Sequence, residues 1–278
     1  MKNKIQNYNQ STTINQLENK IFLRLKSLAP IAILVSGGAD SSLLAEIARR
    51  TLNKNSFYLI HAILPFSPHK ETERIKSYAS QYDLNLISIP VDLMKIKNIV
   101  SNSKKKCYYC KKYIITSILN SDMIPDSLTL CDGTVTDDFR DFRPGLQATS
   151  ELSINHPLAD SGFSKKEIRR LARYYKIPNW NLPASACLAS RIPVNQIITK
   201  NKLKKIAQAE DYLTNLGFSG CRVRFINSDT AKIEVFYIYL NKLKKNSFII
   251  EKKFKLIGFK NIIIDEKGYT KGAMNNPL

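Results

Sequence analysis

The feature that most constrains this chain is the segment LVSGGADSSL at residues 34–43. A short apolar run, residues 31–35, ends in a serine and two glycines, and an apolar-periodic segment opens at Asp40. This order predicts a buried strand, a tight turn and the N-terminus of a helix. Adjacent glycines let the backbone approach an anion, and serine hydroxyls and exposed N–H groups can hold phosphate oxygens there. The segment therefore predicts a phosphate-binding loop between a strand and a helix.

The loop has neither the spacing nor the lysine of a Walker phosphate loop. Its pattern, SGGxDSS, resembles the PP-loop of the ATP pyrophosphatases. That resemblance implies cleavage of ATP between the α and β phosphates and transfer of AMP to a substrate oxygen. The ATP-binding residues that it implies are Ser36, Gly37, Gly38, Asp40, Ser41 and Ser42, of which Asp40 and Ser41 would also act in catalysis. The residues alone are also compatible with an ordinary strand-to-helix turn that has capping serines.

Strands and helices alternate through the first part of the chain. Strands are predicted at 31–35, 56–63, 84–89 and 128–131, and helices at 14–28, 41–52, 69–82, 145–152 and 164–176. Ser164 and Glu167 form a capping-box pattern at the start of the last helix. Such alternation predicts a parallel sheet whose ligands bind beyond the carboxyl ends of the strands. Gly133 follows the fourth strand, so it is predicted to join the nucleotide site.

The pattern changes after residue 195. A helix is predicted at 200–216, strands at 222–226 and 232–237, a helix at 240–256 and a last strand at 260–264. The predicted class is thus α/β: a parallel-sheet PP-loop domain of the adenine nucleotide alpha hydrolase-like type at 1–195. A smaller α+β domain at 196–278 follows it, for substrate binding or oligomerisation.

The composition indicates which cellular compartment and which kinds of partner are expected for this protein. No stretch approaches the ~18 apolar residues of a transmembrane helix, and the polar start MKNKIQNYNQSTT lacks the apolar core of a secretory signal. An odd count of 5 cysteines beside a nucleotide loop favours a reducing cytoplasm with functional thiols. The net charge of +20 suits either a nucleic-acid partner or anionic small molecules. The lysines are scattered, which favours compositional drift over an RNA-binding surface.

The cysteines offer several kinds of site. Cys107 and Cys110 form a C-x-x-C, but no second pair completes a zinc site. A redox pair, an incidental pair of thiols and a [4Fe–4S] cluster with one open iron remain as interpretations. For a cluster, Cys187 is the natural third ligand, because Arg191 nearby would favour its thiolate. Cys131 and Cys221 are interpreted as structural, and His61, His69 and His156 as turn or surface residues.

Several longer strings occur in a fixed order. They are SGGADSS, KCYYCKK, CDGTVTDDFRDFRPG, HPLADSGFSKKEIRRLA, PNWNLPASACLASRIP and AEDYLTNLGFSGCRVR followed by AKIEV. This series resembles the LarE family of ATP-dependent sulfur transferases from about residue 15 to residue 265. The PP-loop alone identifies only the superfamily, whereas ACLASRIP together with CDGT…DD…D-RPG is much more specific.

The resemblance implies a concrete reaction. LarE-like proteins help to make the nickel-pincer nucleotide of lactate racemase, and their substrate is a pyridinium-3,5-biscarboxylic acid mononucleotide. A substrate carboxylate attacks the α-phosphate of ATP, which gives an acyl-adenylate and pyrophosphate, and sulfur then displaces AMP to leave a thiocarboxylate. Mg²⁺ and the loop N–H groups would stabilise the departing pyrophosphate.

The family also implies roles for individual residues. In one branch the cysteine that matches Cys187 is sacrificed and becomes dehydroalanine. In the other branch three cysteines hold a [4Fe–4S] cluster that carries an extra sulfide, which a sulfide donor must supply. The trio of Cys107, Cys110 and Cys187 suits the second branch. The substrate side would use Arg191, Arg222 and Arg224 for phosphate or carboxylate groups and Glu210 for metal or phosphate, although both strand arginines and Glu210 could equally be exposed surface residues.

Two departures and two alternatives bear on the substrate. The family usually continues RIPYG, whereas this chain has Val194 and Asn195 after RIP, and Phe236 replaces an acidic residue after the IEV strand.

A PP-loop tRNA thiolase could use the same cysteine trio. A basic nucleic-acid-binding protein with a relic nucleotide loop is the non-enzymatic alternative, but its loop should be damaged. The favoured partners are a small mononucleotide, a sulfide donor and further copies of the chain.

Overall fold

The structure is a computed structural model that describes residues 2–140, 144–181, 186–227 and 229–269, with side chains from residue 15 onward except that of His69. Parts of two family strings, residues 141–143 and 182–185, lie outside the described residues. The α-helices are α1 (Lys2–Leu28), α2 (Ala39–Thr51), α3 (His69–Gln81), α4 (Lys97–Val100), α5 (Lys106–Leu119), α6 (Pro144–Glu151), α7 (Pro157–Asp160), α8 (Lys165–Tyr174), α9 (Lys200–Asn215), α10 (Leu240–Lys245) and α11 (Ser247–Ile257). The strands are β1 (Ile31–Leu34), β2 (Phe57–Ile63), β3 (Leu86–Pro90), β4 (Thr129–Asp132), β5 (Arg222–Phe225), β6 (Thr230–Glu234) and β7 (Asn261–Ile264).

The chain divides into two compact units. The first comprises Met1–Leu64, His69–Val91 and Cys107–Ser185, and the second comprises Pro65–Pro68, Asp92–Lys106 and Ala186–Leu278. The second unit is therefore assembled from separate stretches of chain. The division at residue 195 stays a prediction about function, since these compact units part at residue 185.

The sheet of the first unit confirms the predicted α/β class. Its strands lie in the order β3-β2-β1-β4, and every neighbouring pair is parallel. Leu34 at the end of β1 pairs in register with Asp132 at the end of β4. Because parallel strands end at the same edge, the glycine loop after β1 and Gly133 after β4 meet there.

Apolar helix faces cover this sheet. Ile21 and Leu25 of α1, Leu43 of α2 and Leu171 of α8 are fully buried in one hydrophobic cluster with the strands. Burying each such side chain contributes roughly 1.5–3 kcal/mol. The capping box is confirmed, because Ser164 accepts from the Glu167 amide and Glu167 accepts from the Ser164 amide. That cap fixes where α8 begins, at the edge that carries the loops.

The second unit contains a small mixed sheet in the order β5-β6-β7. β5 and β6 are antiparallel, while β6 and β7 are parallel. Val223, Phe225 and Ile233 are buried on the face that packs against α9 and α11. Alternation along the strands leaves Arg222, Arg224 and Glu234 on the other face.

Some predicted elements differ in extent. The helix expected at 240–256 is split into α10 and α11 at Asn246, whose side chain donates to the carbonyl of Lys242 and competes with the helical bond. Helix α5, which begins at Lys106, is not among the predicted helices, and both cysteines of the C-x-x-C lie inside it. In the part of the chain that the structure describes, no helix combines the length and apolarity that crossing a bilayer requires.

Candidate active site

The glycine loop connects β1 to α2 in a conformation suited to anion binding. Gly37 has a φ of +75°, which favours glycine, and an added Cβ would lie 3.1 Å from Cβ of Glu71. Gly38 is the N-cap residue of α2 and has no side chain with which to cap the first-turn amides. Those N–H groups, together with the positive end of the helix dipole, are the groups that bind phosphate in such loops.

Ser41 stabilises the loop from inside. The amide of Ser36 donates to Ser41 Oγ at 3.2 Å, and Ser41 Oγ lies 3.3 Å from the Gly38 carbonyl oxygen. Ser41 is buried. Its hydroxyl therefore holds the turn closed in this structure, a positioning role that exists beside the predicted catalytic one.

Gly133 is packed directly against α2. A Cβ at this position would lie 2.8 Å from the amide nitrogen of Ser41 and 3.0 Å from its Cα. Both atoms belong to the backbone, so they cannot move aside as a flexible side chain would. The structure thus brings Gly133 to the glycine loop, as expected from its place after a strand of the parallel sheet.

Two residues that the sequence analysis missed also contact this loop. Asn179 is buried and donates from Nδ2 to the carbonyl oxygen of Gly37 at 2.7 Å. Lys165, the first residue of α8, places Nζ 2.5 Å from Asp40 and 3.3 Å from Asp138. A lysine absent from the loop sequence is therefore supplied from a distant helix. The only available signal was the helix start at Ser164, and it did not reveal which loop the helix faces.

A charged network lies at the end of β4. Asp132 accepts from His156 Nδ1 at 2.8 Å and from the Thr134 amide at 3.0 Å, and it pairs with Lys111 at 3.1 Å. Burial opposes ionisation of Asp132, but Lys111, His156 and the amide outweigh it and hold the pKa of this carboxyl well below its usual range. The interpretation of His156 as an isolated turn or surface residue was wrong.

His61 also differs from its interpretation as a turn or surface residue. It is buried on β2, with Nδ1 3.1 Å from the Val35 carbonyl and Nε2 2.9 Å from Thr72 Oγ1. Burial is the main cause that lowers the pKa of His61. A neutral ring is therefore part of the core beneath the glycine loop.

The C-x-x-C pair lies on the first turns of α5. Cys107 and Cys110 are three residues apart in the helix and so share one face, with Cys107 exposed. Lys111 follows on the same helix, and its Nζ pairs with the carboxylate of Asp132 at 3.1 Å. This places the pair on the helix beside the carboxyl end of β4.

In the second unit, Cys187 precedes a single-turn 3₁₀ helix at Leu188–Arg191 and is exposed. Arg191 is the last residue of this turn, and it is only 2% exposed because its side chain is buried. Its Nη1 donates to the carbonyl oxygens of Ala186 and Cys187 at 2.9 and 3.2 Å. Arg191 therefore fixes the backbone that presents Cys187.

Glu210 neutralises Arg191. Its carboxylate accepts from Nε and Nη2 of Arg191 at 2.8 and 3.1 Å, and it also accepts from the Val223 amide at 2.9 Å. Such a bidentate pair is both strong and directional. Glu210 is thus not a solvated surface residue. Its predicted part in binding metal or phosphate stays a prediction.

The two strand arginines differ in their surroundings. Arg224 donates from Nη1 to the Ser190 carbonyl oxygen at 3.1 Å and pairs through Nε with Glu234 at 2.6 Å. Arg222 is buried and lies 5.3 Å from the ring of Tyr269, and burial is the main cause that lowers its pKa. Neither arginine is on an exposed strand face. The structure gathers Arg191, Glu210 and Arg224 around the turn that follows Cys187.

A brace of hydrogen bonds joins residues 100–106 to residues 189–198 within the second unit. Asn102 donates from Nδ2 to the carbonyl oxygens of Ile192 and Pro193 at 3.1 and 2.7 Å. Lys106 is 9% exposed, and its Nζ lies 2.6 Å from Asn102 Oδ1 and 3.4 Å from the Ala189 carbonyl oxygen. Residues 102–106 are therefore tied to the turn that follows Cys187.

The remaining cysteines behave as predicted. Cys131 and Cys221 are buried, and burial raises the pKa of each thiol to about 12. Among the residues that the structure describes, no three His, Cys, Asp or Glu side chains form a group that could hold a metal ion. These residues do not present an assembled set of three cluster ligands, so the [4Fe–4S] site stays a prediction, as does the Mg²⁺ site.

No protein-family model matches the chain. An uncharacterized protein of Synechocystis sp. is 33% identical over 253 residues, which cover 88% of this chain and 92% of that protein. An uncharacterized protein of Methanocaldococcus jannaschii is 31% identical over 257 residues, covering 91% and 96%. The pyridinium-3,5-bisthiocarboxylic acid mononucleotide synthase of Lactiplantibacillus plantarum is 29% identical over 254 residues, covering 91% and 92%. This chain belongs to the LarE family.

The LarE assignment covers both compact units rather than the nucleotide loop alone, since the matches extend over about nine-tenths of the chain. A synthase among its relatives supports an enzymatic role for this LarE protein. In the first unit it has a glycine loop against which Gly133 packs, and in the second it has an exposed cysteine next to a buried arginine that pairs with a glutamate.

Proposed function

We propose that this protein is an ATP-dependent sulfur transferase that forms AMP and pyrophosphate. Its substrate is pyridinium-3,5-biscarboxylic acid mononucleotide, and it converts a carboxylate of that molecule into a thiocarboxylate. The observation that carries the proposal is the turn around Cys187, where Arg191, Glu210 and Arg224 surround a single exposed thiol. Similarity to a synthase named for the bisthiocarboxylic acid mononucleotide supports this choice of product.

The first step is adenylation. A carboxylate oxygen of the substrate forms a bond to the α-phosphorus of ATP, the bond from that phosphorus to the bridging oxygen breaks, and pyrophosphate leaves with the electron pair. The first-turn amides of α2 would hold the pyrophosphate, and Gly37 and Gly38 allow its close approach. Lys165, which contacts Asp40 in this structure, can supply the positive charge that the loop sequence lacks.

Mg²⁺ would be held by Asp40 and Asp138 together with the phosphates of ATP, because carboxylate and phosphate oxygens are the ligands it prefers. When bound, it would neutralise the charge that develops on pyrophosphate. Asp40 and Asp138 both lie at the nucleotide loop and share Lys165 as a partner. That shared lysine prevents two neighbouring carboxylates from repelling each other before a cation arrives.

In the second step, sulfur attacks the acyl carbon and AMP leaves. Two sources are compatible with the residues. In the sacrificial route, the Cys187 thiolate displaces AMP to form a thioester. A base then takes the Cα proton of Cys187 while the Cβ–S bond breaks, so the thiocarboxylate leaves with the electron pair and dehydroalanine remains. In the catalytic route, a [4Fe–4S] cluster on Cys107, Cys110 and Cys187 would supply an exogenous sulfide. The exposure of Cys187 suits both routes, because each requires its sulfur to be accessible.

The test uses protein that is purified anaerobically and assayed for iron and sulfide. It is then incubated with ATP, Mg²⁺, sulfide and the biscarboxylic acid mononucleotide. The expected products are AMP, pyrophosphate and a thiocarboxylate, each measured by mass spectrometry. Release of ADP and phosphate would contradict the PP-loop chemistry. Stimulation of ATP cleavage by tRNA but not by the mononucleotide would establish the thiolase alternative instead.

A further inference from the structure

Asn179 lies in a turn that follows α8 and contacts the glycine loop. The amide of Ile177 donates to the Ala172 carbonyl oxygen at 2.8 Å, and the amide of Trp180 donates to the Ile177 carbonyl oxygen at 3.1 Å. These bonds fix the turn to the end of the helix. The Asn179 side chain is thereby held at a buried position, where the residue is 6% exposed.

The side-chain amide of Asn179 donates to two acceptors of the loop. Its Nδ2 lies 2.7 Å from the Gly37 carbonyl oxygen and, in a longer contact, 3.4 Å from Ser42 Oγ. A flipped amide would instead bring Oδ1 to the same short distance from the Gly37 carbonyl oxygen, where two acceptors repel each other. The contact with Gly37 therefore fixes which atom of the amide faces the loop.

The other end of this amide indicates that Asn179 serves the loop rather than the stability of the fold. Oδ1 is buried and has no hydrogen-bond donor among the residues that the structure describes. Leaving a buried acceptor unpaired is unfavourable. An apolar side chain of the same size would avoid that penalty, but it could not donate to Gly37.

The bond to Gly37 determines the orientation of the next amide. Among the described residues the one cis peptide bond is Ala29–Pro30, so the peptide between Gly37 and Gly38 is trans, and its C=O and N–H point in opposite directions. Glycine on both sides leaves this peptide unusually free to rotate. Holding the Gly37 carbonyl toward Asn179 therefore keeps the Gly38 N–H directed away from Asn179.

The donors that result have space beside them for a ligand. An added Cβ on Gly38 would have only Ser36 Oγ within 4 Å, at 3.5 Å, so the space next to this residue is open. Ser42, on the first turn of α2, accepts from Asn179 and can donate its own hydroxyl proton elsewhere. Asn179 thus occupies acceptors of the loop and leaves two of its donors for an anion.

We propose that Asn179 is a positioning residue that directs the Gly38 amide and the Ser42 hydroxyl toward the two phosphates that leave as pyrophosphate. This inference rests on the proposed function and adds to it a residue, distant in sequence, that sets the affinity for the pyrophosphate half of ATP. Donors that are oriented before the reaction stabilise the charge that develops on a leaving group. AMP lacks these two phosphates, so its binding should not depend on Asn179.

The test measures binding of inorganic pyrophosphate with Mg²⁺, of ATP with Mg²⁺ and of AMP by calorimetry, in wild type and in Asn179→Leu. The variant keeps the approximate size of the side chain and removes its donor without adding charge. We expect pyrophosphate and ATP to bind about tenfold to a hundredfold more weakly, which is the range for hydrogen bonds to charged groups, while AMP affinity is unchanged. Asn181→Leu, at an exposed position two residues further on, is the matched control and should bind all three as wild type does.

Thermal unfolding reports whether Asn179→Leu still folds, and Asn179→Ala provides a second variant. Unchanged pyrophosphate affinity in either folded variant would overturn the inference. Equal losses for pyrophosphate and AMP would also overturn it, because they would indicate general damage to the loop. Failure of the proposed function has a different signature, since the binding comparison involves neither sulfur nor the acceptor. In that case, wild type would bind pyrophosphate but form no AMP from ATP and the biscarboxylic acid mononucleotide.

Discussion

The side-chain amide of Asn102 lies 2.7 Å from the carbonyl oxygen of Pro193, 91 residues further along the chain. Asn102 is 1% exposed and has a φ of +56°, a left-handed conformation that asparagine tolerates better than most residues. Its Oδ1 also accepts from Lys106. One buried asparagine thus connects the segment that enters α5 with the segment that leaves the Cys187 turn.

Replacing Asn102 with Ala should therefore destabilise the second unit. The carbonyls of Ile192 and Pro193 and the ammonium of Lys106 would lose a buried partner, and we expect the free energy of unfolding to fall by about 1–3 kcal/mol. Urea denaturation measures this change. Asn98→Ala, at an exposed position in the same segment, should be neutral. Similar values for the two variants would show that the brace does not contribute to stability.

Gly133→Ala should impair ATP binding without unfolding the protein. The added methyl group would lie 2.8 Å from the Ser41 amide nitrogen, so α2 or the loop after β4 must shift. We expect at least a tenfold loss of affinity, which corresponds to about 1.4 kcal/mol. Titration with a non-hydrolysable ATP analogue and circular dichroism measure the two properties. Gly145→Ala is the matched control, because its methyl group would meet only ordinary contacts from 3.7 Å. An unchanged affinity in Gly133→Ala would exclude this close approach as a requirement.

Acid should remove a specific contribution to stability at Asp132. Because Lys111, His156 and the Thr134 amide depress its folded-state pKa, the contribution is present above the unfolded pKa of ~3.9 and is lost as the pH falls through the folded value. Asp132→Asn should be less stable than wild type at pH 7 by about 1–3 kcal/mol and should lose less further stability on acidification. Unfolding curves between pH 7 and pH 3 measure the difference. Asp126→Asn, at an exposed position, should follow wild type throughout.

The cysteines should separate into two classes. Alkylation by iodoacetamide at pH 8 should label Cys187 readily, while Cys131 and Cys221 should stay unlabelled because burial raises the pKa of each to about 12. In anaerobic protein, Cys187→Ala and Cys107→Ala should lose iron and sulfide together but retain ATP binding. Cys131→Ala should keep the cluster.

Mass spectrometry after one turnover distinguishes the two sulfur sources. If Cys187 alone is essential and loses the mass of hydrogen sulfide, the sacrificial route is correct and the cluster assignment is wrong. Retention of an intact Cys187 over many turnovers, with iron bound, would instead establish the catalytic route.

The parallel sheet could be predicted because its signals are local. The strand before Ser36, the glycines and the Ser164 capping box each specify a structure within a few residues. The same holds for Gly133, which lies next to the glycine loop once the strands are parallel and adjacent. Short-range patterns and one topological rule were sufficient for these features.

Lys165, Asn179 and Glu234 could not be predicted in this way. Lys165 and Asn179 contact the glycine loop across 125 and 142 residues of sequence, and no periodicity encodes which loop a helix terminus will meet. Glu234 stands out only because tertiary packing buries an oxygen that its neighbours leave without a donor. The sequence also left open whether Arg222 and Arg224 are exposed surface residues. Alternation along a strand shows which residues share a sheet face, but it does not show what covers that face.

The second unit draws on two segments that interrupt the first unit in sequence, Pro65–Pro68 and Asp92–Lys106, and on the segment that follows it, Ala186–Leu278. A fragment that begins at residue 196 would lack Asn102, Lys106 and the Cys187 turn. The two units are therefore not separable modules that recombination could exchange as whole pieces. A gene fusion or truncation at residue 195 would separate the Cys187 turn and Arg191 from Glu210 and Arg224, which contact that turn, so the turn and the small sheet must be inherited together.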